Sequence, residues 1–132
     1  RAIFEEGLRG VWSTFDATEG DDPLVAIEKL MRRSFEAVEE RSSLWRLLYA
    51  LRHQSGVLAR ISPEIAAALA DIERALEALC ARAGLPEPAI EAKALFALID
   101  GANQHRVLDP KGYPVERVIE ATVAKLRLAA SR

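Results

Sequence analysis

Apolar residues recur along this chain at the three- and four-residue spacing of amphipathic helices, and the pattern predicts about six of them. Asp22 followed by Pro23 gives one helix start, because a capping carboxylate before a proline suits the first turn. Pro63 opens a later helix, Gly84 ends it, and Pro88 opens the next one. No segment alternates with the period of two that marks a strand. The sequence therefore predicts an all-α helical bundle.

Two segments between these helices lack the helical pattern, and a helix that is apolar nearly all round lies between them. Residues 16–22 are polar and contain a glycine, which predicts a loop after a first helix that ends near Phe15. Ser42 or Ser43 caps a third helix that is apolar nearly all round, and this predicts a central position in the core. That helix weakens at residues 54–56, and residues 57–61 form a short connection.

The C-terminal segment predicts a helical hairpin with an unusual first helix, because two of its faces are apolar. One face carries Leu95, Phe96, Ile99, Ala102 and, further on, Arg106, and a helix at the edge of a monomer needs only one such stripe. The partner helix begins at Pro114 or Val115. We expect the second face to pair with its copy across a two-fold axis, as a four-helix-bundle homodimer interface. That predicted interface comprises Ala94, Ala97, Gly101, Gln104, Leu108, Val118 and Thr122. The alternative is a monomeric hairpin packed on a larger body.

Composition narrows the class of protein. The 132 residues suffice for one domain, half of them are apolar, and the formal net charge is −2. No basic stripe with interleaved aromatic residues is present, so this segment should not bind nucleic acid by itself. The single cysteine, Cys80, predicts a small core residue and a reducing, cytoplasmic setting. No apolar run is long enough to span a bilayer, so we expect no membrane partner.

Catalytic and metal signals are weak. The two histidines, His53 and His105, lie in different helices, and neither has a ligand partner at the spacing of a zinc or di-iron site. No glycine-rich phosphate loop and no nucleophile elbow are present. We therefore expect no enzyme activity, no metal and no cofactor.

Aromatic and polar residues within otherwise apolar helices predict a ligand cavity. Trp45, Tyr49 and His53 recur every fourth residue and line one strip of the third helix. Such groups pointing into a bundle hold a small, mostly apolar ligand that a few polar contacts orient. The predicted ligand-binding residues are Trp12, Met31, Phe35, Trp45, Tyr49, Phe96 and Asn103. The alternative for each is ordinary packing or surface exposure, and for His53 and Arg106 it is a charge near a helix C-terminus.

The residues Ala97-Leu98-Ile99-Asp100-Gly101, the proline-containing turn and the final amphipathic helix together resemble the C-terminal domain of TetR-family transcriptional regulators. The opening helix, RAIFEEGLRGVW, is similar to the family's linking helix. The resemblance assigns residues 1–132 to the effector-binding and dimerisation domain, with residues 1–15 as the end of the helix that leads to the DNA-binding headpiece.

The resemblance implies a homodimer, usually a repressor, that releases operator DNA when a small hydrophobic effector binds. Operator contact would come only from an N-terminal helix-turn-helix domain whose pattern this chain lacks. Coupling between the effector and the headpiece is expected near Trp12 and Phe15. Two alternatives stay open: a ligand-binding or catalytic bundle unrelated to transcription, and a purely structural dimerisation module.

Overall fold

A computed structural model describes residues 2–52 and 63–132, and within those ranges the chain forms six α-helices and no strand. The all-α prediction is therefore confirmed. The predicted connection at residues 57–61, the weak segment at 54–56 and His53 lie outside the described residues. The helices are α1 (Ala2–Ala17), α2 (Pro23–Glu40), α3 (Ser42–Arg52), α4 (Pro63–Arg82), α5 (Pro88–Leu108) and α6 (Val115–Ala130).

The helix boundaries follow the local signals in the sequence. One carboxylate oxygen of Asp22 accepts hydrogen bonds from the backbone N–H groups of Leu24 (3.0 Å) and Val25 (3.4 Å), which caps α2. Gly84 follows α4 with a φ of 79°, the left-handed conformation that glycine adopts without steric cost. Glu87, before α5, also has a positive φ of 51°, which the sequence did not predict. Helix α1 ends at Ala17, slightly beyond the predicted end.

Helix α2 is the centre of the bundle and packs against each of the other five helices. Its side chains Ile27 and Met31 are fully buried, and Phe35 is 2% exposed. The prediction that α3 is central is wrong: Leu47 on α3 is 56% exposed, and every α3 side chain that the structure describes is at least partly accessible. The reason is length, because α2 buries one apolar stripe over five turns whereas α3 has only 11 residues.

The apolar stripes of α4, α5 and α6 complete the core around α2. Cys80 is fully buried, as predicted. The predicted inner face of α5 is also confirmed, since its leucine and alanine positions are buried and Phe96 and Ile99 pack against the core. The other buried members contributed by these three helices are Leu76, Leu79, Ala92, Leu95, Ala102, Ile119, Val123 and Leu126.

The last two helices both rest on α2, and α6 has α2 as its main neighbour. A bidentate ion pair joins α2 and α6: the Arg32 guanidinium on α2 donates to both carboxylate oxygens of Glu116 on α6, each at 2.6 Å. In the described ranges, no helix is long and apolar enough to cross a membrane.

The cap of α2 generates the first prediction. Replacing Asp22 with Ala removes the acceptor for two backbone N–H groups and should lower the free energy of unfolding by about 1 kcal/mol. Asparagine keeps an acceptor oxygen at this position, so Asp22→Asn should stay within about 0.5 kcal/mol of the wild type. Urea unfolding followed by far-UV circular dichroism measures both. Equal losses in the two variants would contradict the capping role.

The Arg32–Glu116 pair generates a pH prediction. Hydrogen bonds from Arg32 hold the pKa of Glu116 below its ordinary value of 4.5. Because the pKa of Glu116 is lowered in the folded state, the pair stabilises the fold at pH values above the ordinary pKa. This contribution is lost as the pH falls through the folded-state pKa. The urea midpoint of the wild type should therefore drop further between about pH 6 and about pH 3 than that of Glu116→Gln. The control is Glu19→Gln, the same charge change in the α1–α2 loop, which should follow the wild type.

Candidate functional site

The outer face of α5, defined by Ile90, Ala94, Ala97, Leu98, Gly101, Gln104 and Leu108, is turned away from the core. Three large apolar side chains on it are accessible: Ile90 is 58% exposed, Leu98 36% and Leu108 78%. Ala94 and Ala97 between them are exposed as well. Helix α5 is thus apolar on both sides, whereas a helix on the surface of a monomer carries a polar outer face.

Gly101 lies in the middle of this outer face and leaves room for a close approach. A Cβ atom added at Gly101 would meet nothing within 4 Å. Glycine inside a helix is less favourable than alanine by about 1 kcal/mol, and nothing in the described subunit requires its small size.

A groove of about 170 Å³ lies between α5 and α6, and one predicted interface residue from each helix lines it, Ala94 and Thr122. Ala94 and Leu98 line it from α5, and Thr122 lines it from α6. The Thr122 hydroxyl donates to the carbonyl oxygen of Val118 at 2.7 Å, so its hydrogen is already used within the helix. The groove therefore continues the apolar outer face toward α6.

A second groove, of about 190 Å³, lies between α3 and α5. Tyr49 and Arg46 line it from α3, and Gln104, Val107 and Leu108 line it from α5. Two members of the predicted dimer interface, Gln104 and Leu108, thus share this groove with Tyr49, a predicted ligand residue.

The predicted ligand residues occupy several environments. Met31 and Phe35 are buried in the core, and Phe96 is half-buried against it. Trp45 is half-buried on α3, with its ring 5.7 Å from that of Tyr49. Trp12 is 37% exposed on α1, with its ring 5.3 Å from that of Phe15.

Asn103, the last of the predicted ligand residues, belongs to a polar contact between α2 and α5. It is 3% exposed, and its amide nitrogen donates to the Ser34 hydroxyl at 3.0 Å. Its carbonyl oxygen is buried without a hydrogen-bond partner among the described residues. Buried polar atoms in native proteins nearly always have a partner, so this oxygen marks a place for an additional group.

Arg106 follows Asn103 by one turn on the same side of α5. Its guanidinium donates to the carbonyl oxygen of Phe35 at 2.8 Å, lies 6.0 Å from the centre of the Phe35 ring, and pairs with Glu39 at 2.8 Å. The Arg106 side chain is 13% exposed, but that of Glu39 is 70% exposed. Arg106 is therefore held mainly by its contacts with Phe35, and its exposed counter-ion Glu39 contributes less.

We call these residues, Ser34, Phe35, Glu39, Asn103 and Arg106, the polar seam. Sequence reasoning selected only Phe35 and Asn103 among them as ligand residues, and for Arg106 it favoured a surface position or a charge near a helix C-terminus. One signal was available for Arg106: it shares the buried face of α5 with Leu95 and Ala102. No local signal identified Ser34, because its partner is far away along the chain.

The single cysteine of the chain is a buried thiol. Burial raises the pKa of Cys80 to about 11, with smaller contributions from Glu91 and Glu77, so the thiol stays protonated near neutral pH. The described residues hold no group of three or more histidine, cysteine or carboxylate side chains that could bind a metal ion.

Comparison with known protein families gives one match. The family model described as "Tetracyclin repressor-like, C-terminal domain" matches residues 24–128. No curated protein and no solved structure matches the chain.

We predict that substitutions of Arg106 and Glu39 in the polar seam change the free energy of unfolding unequally. Arg106→Met removes a charge-assisted hydrogen bond to the Phe35 carbonyl and the contact with the Phe35 ring, so it should lower the free energy of unfolding by about 1–3 kcal/mol. Glu39→Gln removes a charge that is mostly in solvent and should cost less than about 0.5 kcal/mol. Urea unfolding of both variants at neutral pH is the measurement. A larger loss for Glu39→Gln than for Arg106→Met would show that the ion pair, and not the fixed contacts, holds Arg106.

Proposed function

The chain belongs to the tetracyclin repressor-like C-terminal domains of the TetR family, and on that premise we propose that it is the dimerisation and effector-sensing domain of a transcriptional regulator, most simply a repressor. The proposed domain comprises residues 1–132, with α1 leading toward a DNA-binding headpiece. The buried lone cysteine fits a regulator that works in the reducing cytoplasm.

The apolar outer face of α5 is the observation that carries this proposal. In a homodimer, α5 and α6 would pack against the same helices of a second copy and form a four-helix bundle, with one self-complementary patch used twice. Gly101 and the neighbouring alanines would let the two α5 backbones approach closely. The interface residues we propose are Ala94, Ala97, Gly101, Gln104, Leu108, Val118 and Thr122.

The effector we propose is a small, mostly hydrophobic molecule. The unpartnered Asn103 oxygen supports a ligand that brings a hydrogen-bonding group into an apolar interior. The residues we propose to contact the effector or to respond to it are Trp12, Met31, Phe35, Trp45, Tyr49, Phe96 and Asn103. No catalytic step and no cofactor belong to this proposal.

The mechanism we propose is a shift between two conformations of the dimer. Helix α1 packs chiefly on α2, and α2 contacts α5, so an effector between these helices can change the angle at which α1 leaves the domain. Two headpieces would then fit or miss successive major grooves of the operator. Moving such an equilibrium from 1:99 to 99:1 requires about 5.5 kcal/mol of difference in effector affinity between the two states. Operator DNA would be contacted only by the headpieces.

Oligomeric state tests the proposal. We expect the wild type to be a dimer at micromolar concentration and Gly101→Leu to be a monomer or an aggregate, because the added side chain would separate the two α5 helices. Light scattering after size-exclusion chromatography measures both. The matched control is Ala124→Leu, which adds apolar bulk to α6 at a position about 200° around the helix from Thr122. This variant should remain a dimer.

Gly101→Ala gives an independent result. The described subunit has open space at this position, so in a monomer the change would stabilise α5 by about 1 kcal/mol. In the proposed dimer the new methyl group meets the partner helix and weakens association. A monomeric wild type, or a Gly101→Ala variant that is more stable and equally associated, would overturn the proposed interface.

A further inference from the structure

The polar seam has an open hydrogen-bonding position whichever way the Asn103 amide is oriented. The two ends of a carboxamide have nearly the same shape, and rotating the group exchanges its donor end for its acceptor end. The Ser34 hydroxyl reaches one end of the amide at 3.0 Å. In the orientation of the structure the other end is the carbonyl oxygen, which lacks a partner among the described residues although the side chain is almost fully buried. In the rotated orientation the oxygen accepts from the Ser34 hydroxyl and the NH₂ group faces this position, where it can donate to a ligand oxygen.

Arg106 supplies a cation one helical turn after Asn103, on the same side of α5. Its place is set by α2, because Nη1 donates to the Phe35 carbonyl and the guanidinium lies against the Phe35 ring. Its counter-ion Glu39 lies in the last turn of α2 and is mostly in solvent. An exposed carboxylate contributes little to an ion pair, so another carboxylate can replace it at the guanidinium.

The direction of the apolar part of a ligand follows from α5. Phe96 precedes Asn103 by seven residues and lies on the same strip of the helix, about 10 Å away along the axis. Its ring is half-buried against the core. A molecule with its head group at Asn103 and Arg106 and an apolar body of about this length would reach Phe96.

We propose that the effector is a monocarboxylate with an apolar body, such as a medium-chain or aryl acid. Its carboxylate binds Arg106 in place of Glu39 and accepts a hydrogen bond from Nδ2 of the rotated Asn103 amide. This inference rests on the proposed function, because it names the chemistry of the effector for that same domain.

The seam also lies beside a connection to α1. Glu39 and Glu40 end α2, and the next residue, Arg41, pairs with Glu6 of α1 at 2.8 Å. Glu40 in turn pairs with Arg33 at 3.2 Å. An acid that releases Glu39 from Arg106 removes one of the contacts that hold this end of α2, so binding changes the support of α1 and biases its position.

Isothermal titration of the intact chain with matched probes tests the proposal. The acids are octanoate and phenylbutyrate, and the neutral isosteres are octanamide and phenylbutyramide. We expect at least one acid to bind about tenfold or more tightly than its amide, because the carboxylate forms an ion pair with the guanidinium, whereas the neutral amide can only accept hydrogen bonds from it. Arg106→Gln should reduce the affinity for the acid to that for the amide. Glu39→Gln removes the internal competitor and should tighten acid binding severalfold without changing amide binding.

The matched control is Arg32→Gln, which removes one positive charge from the α2–α6 ion pair and should leave the preference for the acid unchanged. Equal affinity for acid and amide, no binding of any of the four probes, or a preference that survives Arg106→Gln would overturn the inference. If Arg106→Gln does not fold, the Glu39→Gln variant provides the test. Unchanged affinity of that variant for the acid would also overturn the inference.

Light scattering on the same samples separates the two proposals. A dimer that binds both amides as well as their acids leaves the proposed function standing and refutes the carboxylate. A monomer that prefers the acid through Arg106 refutes the proposed dimer and leaves the carboxylate site standing.

Discussion

Burial of the apolar stripe of α2 is the constraint on which the rest of the bundle depends. Ile27 and Met31 are fully enclosed, and each such side chain contributes about 1.5–3 kcal/mol when it leaves water. The five other helices all pack on this one element, so none of them finds its position independently of α2. The same helix carries Arg32 toward α6 and Ser34 toward α5. A displacement of α2 would therefore be felt in every part of the described chain.

Both faces of helix α5 are apolar, and an isolated subunit buries only one of them. Its inner face must fill the core around α2, and its outer face exposes Ile90, Leu98 and Leu108 to water. Exposed apolar patches of this kind on soluble proteins usually mark an interaction site. Small residues at Ala94, Ala97 and Gly101 add nothing to the core, but they are suited to close contact between helices. In the proposed dimer, a second copy of the chain would cover the outer face while the inner face stays in the core.

The polar seam stands out because Asn103 and Thr18 are the only buried polar residues among those that the structure describes. A buried asparagine with one unpartnered end and a nearly buried arginine both carry a cost of desolvation, and a core of leucine would avoid it. The fixed contacts of Arg106 with Phe35 offset part of this cost, but the open end of Asn103 is not offset within the described residues. In the proposed sensor, a ligand that completed this site better in one conformation than in the other would shift the equilibrium between the two.

Some features of this protein were determined by the sequence alone. Asp22 with Pro23, Gly84, and Pro88 set helix ends through hydrogen bonds and backbone angles within a few residues, so local reasoning located them. The inner face of α5 and the burial of Cys80 also followed, because helical periodicity fixes which residues share a side. The family match agrees with the motif around Asp100 and Gly101.

Other features were decided only by the tertiary structure. The apolar composition of α3 suggested a central helix. The sequence of a helix does not determine how many neighbours pack on it, however, and in the structure α2 is the central helix. Ser34 and Asn103 are 69 residues apart, and Arg106 is buried because the carbonyl of Phe35 happens to lie where its guanidinium ends. Such pairings depend on how helices distant in sequence pack together, and periodicity within one helix carries no information about them.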